Sequence, residues 1–337
     1  MKKIIFIAAL AIATLASCTK EEPINSSSEQ EIAFNGVTRL NTKTVYGPVA
    51  STDYPEAEHF GVYAYYTPVK YDSSKVSGDS ALYMNNVEVQ KQTTYWANST
   101  TKYYWPKSGK LTFACYSPKA YGNGVASSSF ERGIAFQGFT TSTDITKQVD
   151  LLASDLIKDQ TSEAAVSVQF RHLLSQIAFT VAPAQSDYNT NSNLSGIRIN
   201  SIKVAPFKTV GDYHSTDGTY TNGSWSGMRE QISYNLDILS SPKDVNLSST
   251  SAVTVGTPII VIPQTASNII INYSIILKDA NGGMITDTKE VIGTWTPALT
   301  TWVKGKKYTY NITIGLDQIM FAPSVVDWTD TTESTQL

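Results

Sequence analysis

Apolar residues recur at every second position along most of this chain, in short runs broken by Gly, Pro, Asn and Ser. HFGVYAYY puts Phe60, Val62, Ala64 and Tyr66 on one face, and LTFACY does the same with Leu111, Phe113 and Cys115 after a turn at Pro106–Gly109. VSVQF aligns Val166, Val168 and Phe170, and IAFTV aligns Ile177, Phe179 and Val181. Side chains on a strand alternate between faces, so this period predicts half-buried strands. IIINYSIILKD and GMITDTKEVIG meet across Asp279-Ala280-Asn281-Gly282-Gly283, a strong hairpin signal. Helical spacing is rare. ITKQVDLL offers Ile145, Val149 and Leu152, one short segment that leaves the class unchanged. The pattern predicts an all-β protein of two antiparallel β-sandwich domains in tandem, residues 31–165 and 166–317, with a further strand in 318–337.

Composition agrees. Charged residues are 16% of the chain, below the roughly 25% of ordinary domains, while Tyr, Thr, Ile and Val abound. A net charge of -3 provides no basic field for nucleic acid. Cys18 and Cys115 are the two cysteines, so if Cys18 is modified no internal disulfide can form and the fold must hold by burial.

Cys18 ends the stretch MKKIIFIAALAIATLASC, in which Lys2 and Lys3 precede an apolar run from Ile4 to Leu15. A run of about 12 residues is too short to span ~30 Å of hydrocarbon, and small residues precede the cysteine as cleavage requires. We read residues 1–17 as a lipoprotein signal peptide and Cys18 as the acylated first residue of the mature chain. Each buried methylene contributes about 0.8 kcal/mol, so several acyl chains hold a protein at a membrane. Residues 18–30 follow as a polar tether that reaches at most about 40 Å when extended.

The reactive residues do not assemble into a familiar site. His59, His172 and His214 lack metal-ligand spacing, and Cys115 lies on an apolar strand face where a thiol acts as a small hydrophobe. GSWSG has Trp225 where a nucleophile elbow needs serine, and DANGGMITDTKE has Met284 where a calcium loop needs glycine, although Asp279, Asn281 and Glu290 match. The reading is a non-enzyme without cofactor or metal. Trp105, Trp295 and Trp302 stand beside turn residues, where they serve equally as strand-end plugs or as platforms for sugars.

The LASC box, EIAFNGVTRLNTKT, FGVYAYY, YYWPKSGKLTFACYSP, VSVQFRHLLSQIAFTV and GKKYTYNITIG followed by IMFAPSVVDW together resemble the fimbrillin (Mfa-like) family, lipoprotein-derived subunits of the type V pili of Bacteroidales. The resemblance runs in order over nearly the whole chain. It implies transthyretin-like sandwiches, delivery to the cell outer membrane as a palmitate-bearing lipoprotein, and a structural or adhesive role in fimbriae without catalysis. Lys20-Glu21-Glu22 resembles the acidic signal that sends such lipoproteins to the surface. Partners implied are other pilus subunits, the outer membrane through lipid, and a receptor on a host or bacterial surface. Family members are cut by an arginine-specific protease, which here would act between Arg39 and Leu40; the alternative is an uncut arginine in a surface turn.

The family assembles by donor-strand exchange, in which a strand from one subunit fills a groove vacated in the next. Glu31-Ile32-Ala33-Phe34 and Gln318-Ile319-Met320-Phe321 share one order, so Ile319 and Phe321 are spaced to enter pockets left by Ile32 and Phe34. The competing reading lets the last segment complete its own domain. A second functional class, a surface lipoprotein that binds glycans, fits the signal, tether and aromatic content equally. If Cys18 is the acyl acceptor, Cys18→Ala abolishes incorporation of labelled palmitate and releases the protein from membranes, both scored by fractionation.

Overall fold

The computed structural model describes residues 30–39, 43–44, 47–48, 54–72, 80–162, 164–184, 193–205, 207–232, 236–237, 243–245, 252–265, 268–279, 281–294, 301–315 and 319–328. The chain is all-β. Its one helical turn among these residues is a 3-10 turn at Ile145–Lys147, capped by Asp144, whose carboxylate accepts the Thr146 backbone N–H. Helical spacing in ITKQVDLL therefore amounts to a single turn, after which Leu152–Ser154 is a strand.

In the N-terminal half, eight strands form one sheet in the order Leu152–Ser154, Val166–His172, Phe34–Arg39, Trp96–Ala97, Ala81–Lys91, Phe60–Thr67, Lys110–Ser117 and Ile157–Gln160. Leu152–Ser154 also pairs with Lys110–Ser117, Leu152 opposite Ser117 and Ala153 opposite Tyr116, so the sheet closes on itself. Inside are the alternating residues read from the sequence: Phe60, Val62 and Ala64, then Leu111, Phe113 and Cys115, then Val166, Val168 and Phe170. Closure encloses an aromatic-rich core, with the ring thinnest where Phe34–Arg39 meets Trp96–Ala97 at the single pair Phe34↔Trp96.

In the C-terminal half, two sheets face each other. Val253–Val261, Ser175–Pro183, Lys306–Ile314 and Ile319–Asp327 form one; Leu236–Asp237, Leu194–Ala205, Asn268–Lys278 and Met284–Thr294 form the other, with Lys243–Val245 beside Leu194–Ala205. Ile177, Phe179 and Val181 pack against Ile197, Ile199, Ile202 and Val204 between them. The expected hairpin is present, in register from Asn268↔Thr294 to Lys278↔Met284, and Asp279 Oδ1 accepts the backbone N–H of Asn281 at 2.8 Å and of Gly283 at 2.6 Å in the turn.

A four-stranded sheet then joins the halves: Val125–Ser129, Gly133–Thr140, Phe207–Ser215 and Gly223–Ile232. Its Phe136, Phe139 and Tyr213 share a core with Tyr63, Tyr65 and Tyr116 from the outer face of the closed sheet. Trp225, in the GSWSG stretch, donates its indole N–H to the Leu173 carbonyl at 2.6 Å. The strand pairings run past the expected boundary at 165/166, because Val166–His172 belongs to the closed sheet. The chain passes from one core to the next at Leu173–Leu174, both fully buried, so no polar linker marks the passage.

Antiparallel pairing was expected throughout. Among the described residues the ladders are antiparallel except two, Phe34–Arg39 with Val166–His172 and Ser175–Pro183 with Lys306–Ile314. Both join segments more than a hundred residues apart, and parallel neighbours need such crossovers, which leave no hairpin signal. Trp105 and Trp302, at 2% and 1% exposure, are core residues and not platforms. Cys115 is also buried, and burial pushes its thiol well above the ordinary range. Its thiolate is scarce at pH 8, so Cys115 stays unlabelled by a thiol reagent in the native protein and reacts once urea unfolds it.

Candidate strand-exchange site

The first described segment enters the closed sheet by stages. Trp105 N–H donates to the Gln30 carbonyl at 3.1 Å, Ile32 N–H to the Tyr103 carbonyl at 2.7 Å, and Val166 N–H to the Ala33 carbonyl at 3.1 Å. Glu31 forms a bridge with Tyr104, and its carboxylate lies 3.2 Å from Lys102, whose pKa rises through that hydrogen bond first and the charge second. The pair is partly exposed and contributes little, whereas the apolar residues on either side are buried.

Phe34 then sits opposite Val166 on one side and Trp96 on the other. The parallel register runs Phe34↔Val166 and Asn35↔Ser167, slips, and resumes at Thr38↔Gln169 and Arg39↔Phe170. Ile32, Phe34 and Val37 are 3%, 1% and 6% exposed. The Phe34 ring meets Phe60 and Phe113 edge-on, with centroids 5.7 and 5.5 Å apart. Tyr54 closes the other flank: its N–H reaches the Val37 carbonyl at 3.4 Å, and its ring lies 5.1 Å from Trp96 and 5.4 Å from Phe170. Aromatic quadrupoles favour such edge-on and tilted contacts. Burial of Ile32 and Phe34 contributes about 3 to 6 kcal/mol to the seat of this strand.

The last strand lies elsewhere. Ile319–Asp327 pairs with Lys306–Ile314 in unbroken antiparallel register, Ile319 opposite Ile314 and Phe321 opposite Ile312. It is the outer strand of its sheet. The structure thus brings Ile32 and Phe34 together in the N-terminal core and places Ile319 and Phe321 at register positions in the C-terminal sandwich, apart from the first pair. Arg39 ends the first strand, opposite Phe170. Leu40 and Cys18 lie outside the described residues.

Sequence reasoning passed over the walls of the seat. Tyr54 stands outside any alternating run, and Trp96 belongs to a strand of only two residues, so neither carried a periodic signal. His172 did extend the Val166, Val168, Phe170 alternation, and it is buried with Asp150 as partner, Nδ1 2.9 Å from one carboxylate oxygen and 3.1 Å from the other. His59 has Glu88 at 2.5 Å, and His214 is exposed. Among the described residues no three His, Cys, Asp or Glu side chains converge as metal ligands would.

No curated protein matches the chain. Among solved structures, a fimbrial protein from Bacteroides vulgatus is 20% identical and superposes with a TM-score of 0.64, the alignment covering 87% of this chain and 99% of that one. A proposed cell adhesion protein from Bacteroides uniformis is 16% identical with a TM-score of 0.47, over 89% and 99% of the two chains. The likeness to the first shows a shared fold. The model of the fimbrillin-like family matches residues 43–328, from just after the first strand to the end of the last, and on that match the protein belongs to the fimbrillin-like family.

Proposed function

We propose that this protein is a structural fimbrial subunit or surface adhesin, carried to the outer membrane by lipid on Cys18 and joined to other subunits by strand exchange. The observation that carries the reading is the seat of the first strand. Phe34–Arg39 is an insert between Val166–His172 and Trp96–Ala97 in a sheet that otherwise closes on itself. Its departure bares two hydrogen-bonding edges and an apolar slot at once. A strand of matched side-chain spacing restores both, with the backbone supplying affinity and the alternation supplying register.

Arg39 is the final residue of that strand, so a cut between Arg39 and Leu40 frees the strand together with everything before it. Ile319 and Phe321 repeat the spacing of Ile32 and Phe34, and they belong to an outer strand, hydrogen-bonded on one side only. An outer strand can leave with fewer backbone bonds broken than an inner one. The reactive groups support a non-catalytic role: Cys115 is sealed in the core, and His172 is held by Asp150. Glycan binding loses two of its three tryptophan platforms to burial, and the third, Trp295, lies outside the described residues.

The test is Ile319→Asp combined with Phe321→Asp in the full chain. A carboxylate entering an apolar slot without a partner is costly, so the double variant keeps cooperative urea unfolding yet forms no polymers after arginine-specific proteolysis, as judged by electron microscopy and sedimentation. Polymers of ordinary length from the double variant overturn the reading.

A further inference from the structure

Beyond Asp327, which pairs with Lys306, the chain leaves the sheet and drives Trp328 into the core between the two halves. The indole is 2% exposed and stacks face to face on His172, with centroids 3.9 Å apart and planes 12° from parallel. Its backbone N–H donates to the Gly305 carbonyl at 3.0 Å, and Gly305 N–H donates in turn to the Leu174 carbonyl at 2.8 Å. Gly305 has a φ of +68°, and a β-carbon there would lie 2.4 Å from the Tyr220 hydroxyl, so this close passage needs glycine. The end of the last strand is thus pinned at the crossing point of the chain, Leu173–Leu174.

Two features make this pin releasable. Among the described residues the Trp328 indole N–H has no acceptor, unlike Trp302, which donates to Tyr310 at 3.0 Å, and Trp225, which donates to Leu173 at 2.6 Å. A buried donor without an acceptor carries a desolvation penalty that leaving the core relieves. His172, moreover, is the last residue of Val166–His172, the strand that forms one wall of the seat of Phe34–Arg39. Arg39 pairs with Phe170, two residues before His172. One strand therefore holds the first strand along its length and the last strand at its tip.

We propose that Trp328 on His172 is an autoinhibitory clamp, which keeps the last strand on its own subunit and opens when the first strand leaves its seat. This regulates the exchange site and rests on the strand-exchange reading. Removal of Phe34–Arg39 takes away one of the two neighbours of Val166–His172, leaving Leu152–Ser154 to hold it. His172 then keeps only Leu152 beside its backbone and Asp150 beside its ring, and a strand tip held from one side lets the stack that anchors Trp328 slip. A subunit with a filled slot keeps its donor at home, while a subunit whose slot has opened releases one.

Hydrogen exchange of the full chain, at dilution where no polymer forms, tests the clamp. Trp328→Ala accelerates exchange of peptides from 319–328 by about tenfold or more and leaves peptides from 81–91 and 268–278 unchanged, whereas Trp328→Phe retains most of the protection. Phe34→Ala, which loosens the seat, accelerates 319–328 as well, and the double variant adds little beyond either single change. The proposal is overturned if 319–328 exchange is unmoved in Trp328→Ala, if every peptide accelerates alike, or if Phe34→Ala leaves the last strand protected. The measurement needs no contact between subunits. An open clamp in Trp328→Ala, together with polymerisation by the Ile319→Asp, Phe321→Asp variant, would therefore retain the clamp and remove the strand-exchange reading.

Discussion

The closed N-terminal sheet depends on the seating of Phe34. Its ring stands edge-on to Phe60 and Phe113, residues from two further strands, while its backbone lies between Val166 and Trp96. Apolar burial and backbone pairing thus converge on one short strand. Because both contributions are lost together, a partly seated strand is a poor compromise: the core is open to water and the edges are unpaired. The slot is accordingly two-state in character, filled or empty.

Coupling between the halves follows from the path of residues 166–183. Val166–His172 runs parallel to the first strand, Leu173–Leu174 turn within the shared core, and Ser175–Pro183 runs parallel to Lys306–Ile314, against which the last strand lies. Both parallel ladders thus sit on one continuous stretch of chain. A pull between the first strand and the last passes along it without crossing a flexible linker, and the Val125–Thr140 and Phe207–Ile232 hairpins bind the two halves beside it. Such continuity resists separation of the halves by shear, since many hydrogen bonds must break together.

Much of the strand pattern was legible. Phe60, Val62, Leu111, Phe113, Cys115, Ile177, Phe179 and Val181 are core residues on the faces their alternation assigned, and the Asp279–Gly283 turn is where its glycines placed it. These signals are local, arising from the period of a strand and from turn geometry. The candidate site was legible in part: Ile32 and Phe34 are buried as their spacing suggested, whereas Tyr54 and Trp96 carried no periodic mark. The passage between halves carried no local signal of its own, because the chain crosses through two buried leucines and not through a polar linker.

By itself, then, the sequence determined the class of element and the buried face of each strand, because those follow from residue type and a period of two. The resemblance to the fimbrillin family was legible as well, and the match over residues 43–328 bears out the family. Tertiary structure alone decided which strands lie side by side: the closure through Leu152–Ser154, the parallel ladders, the sheet shared by both halves, and the stack of Trp328 on His172. Each is a contact between residues far apart in the chain, and backbone pairing is indifferent to side-chain identity, so partner choice is settled only when all the apolar faces are buried at once.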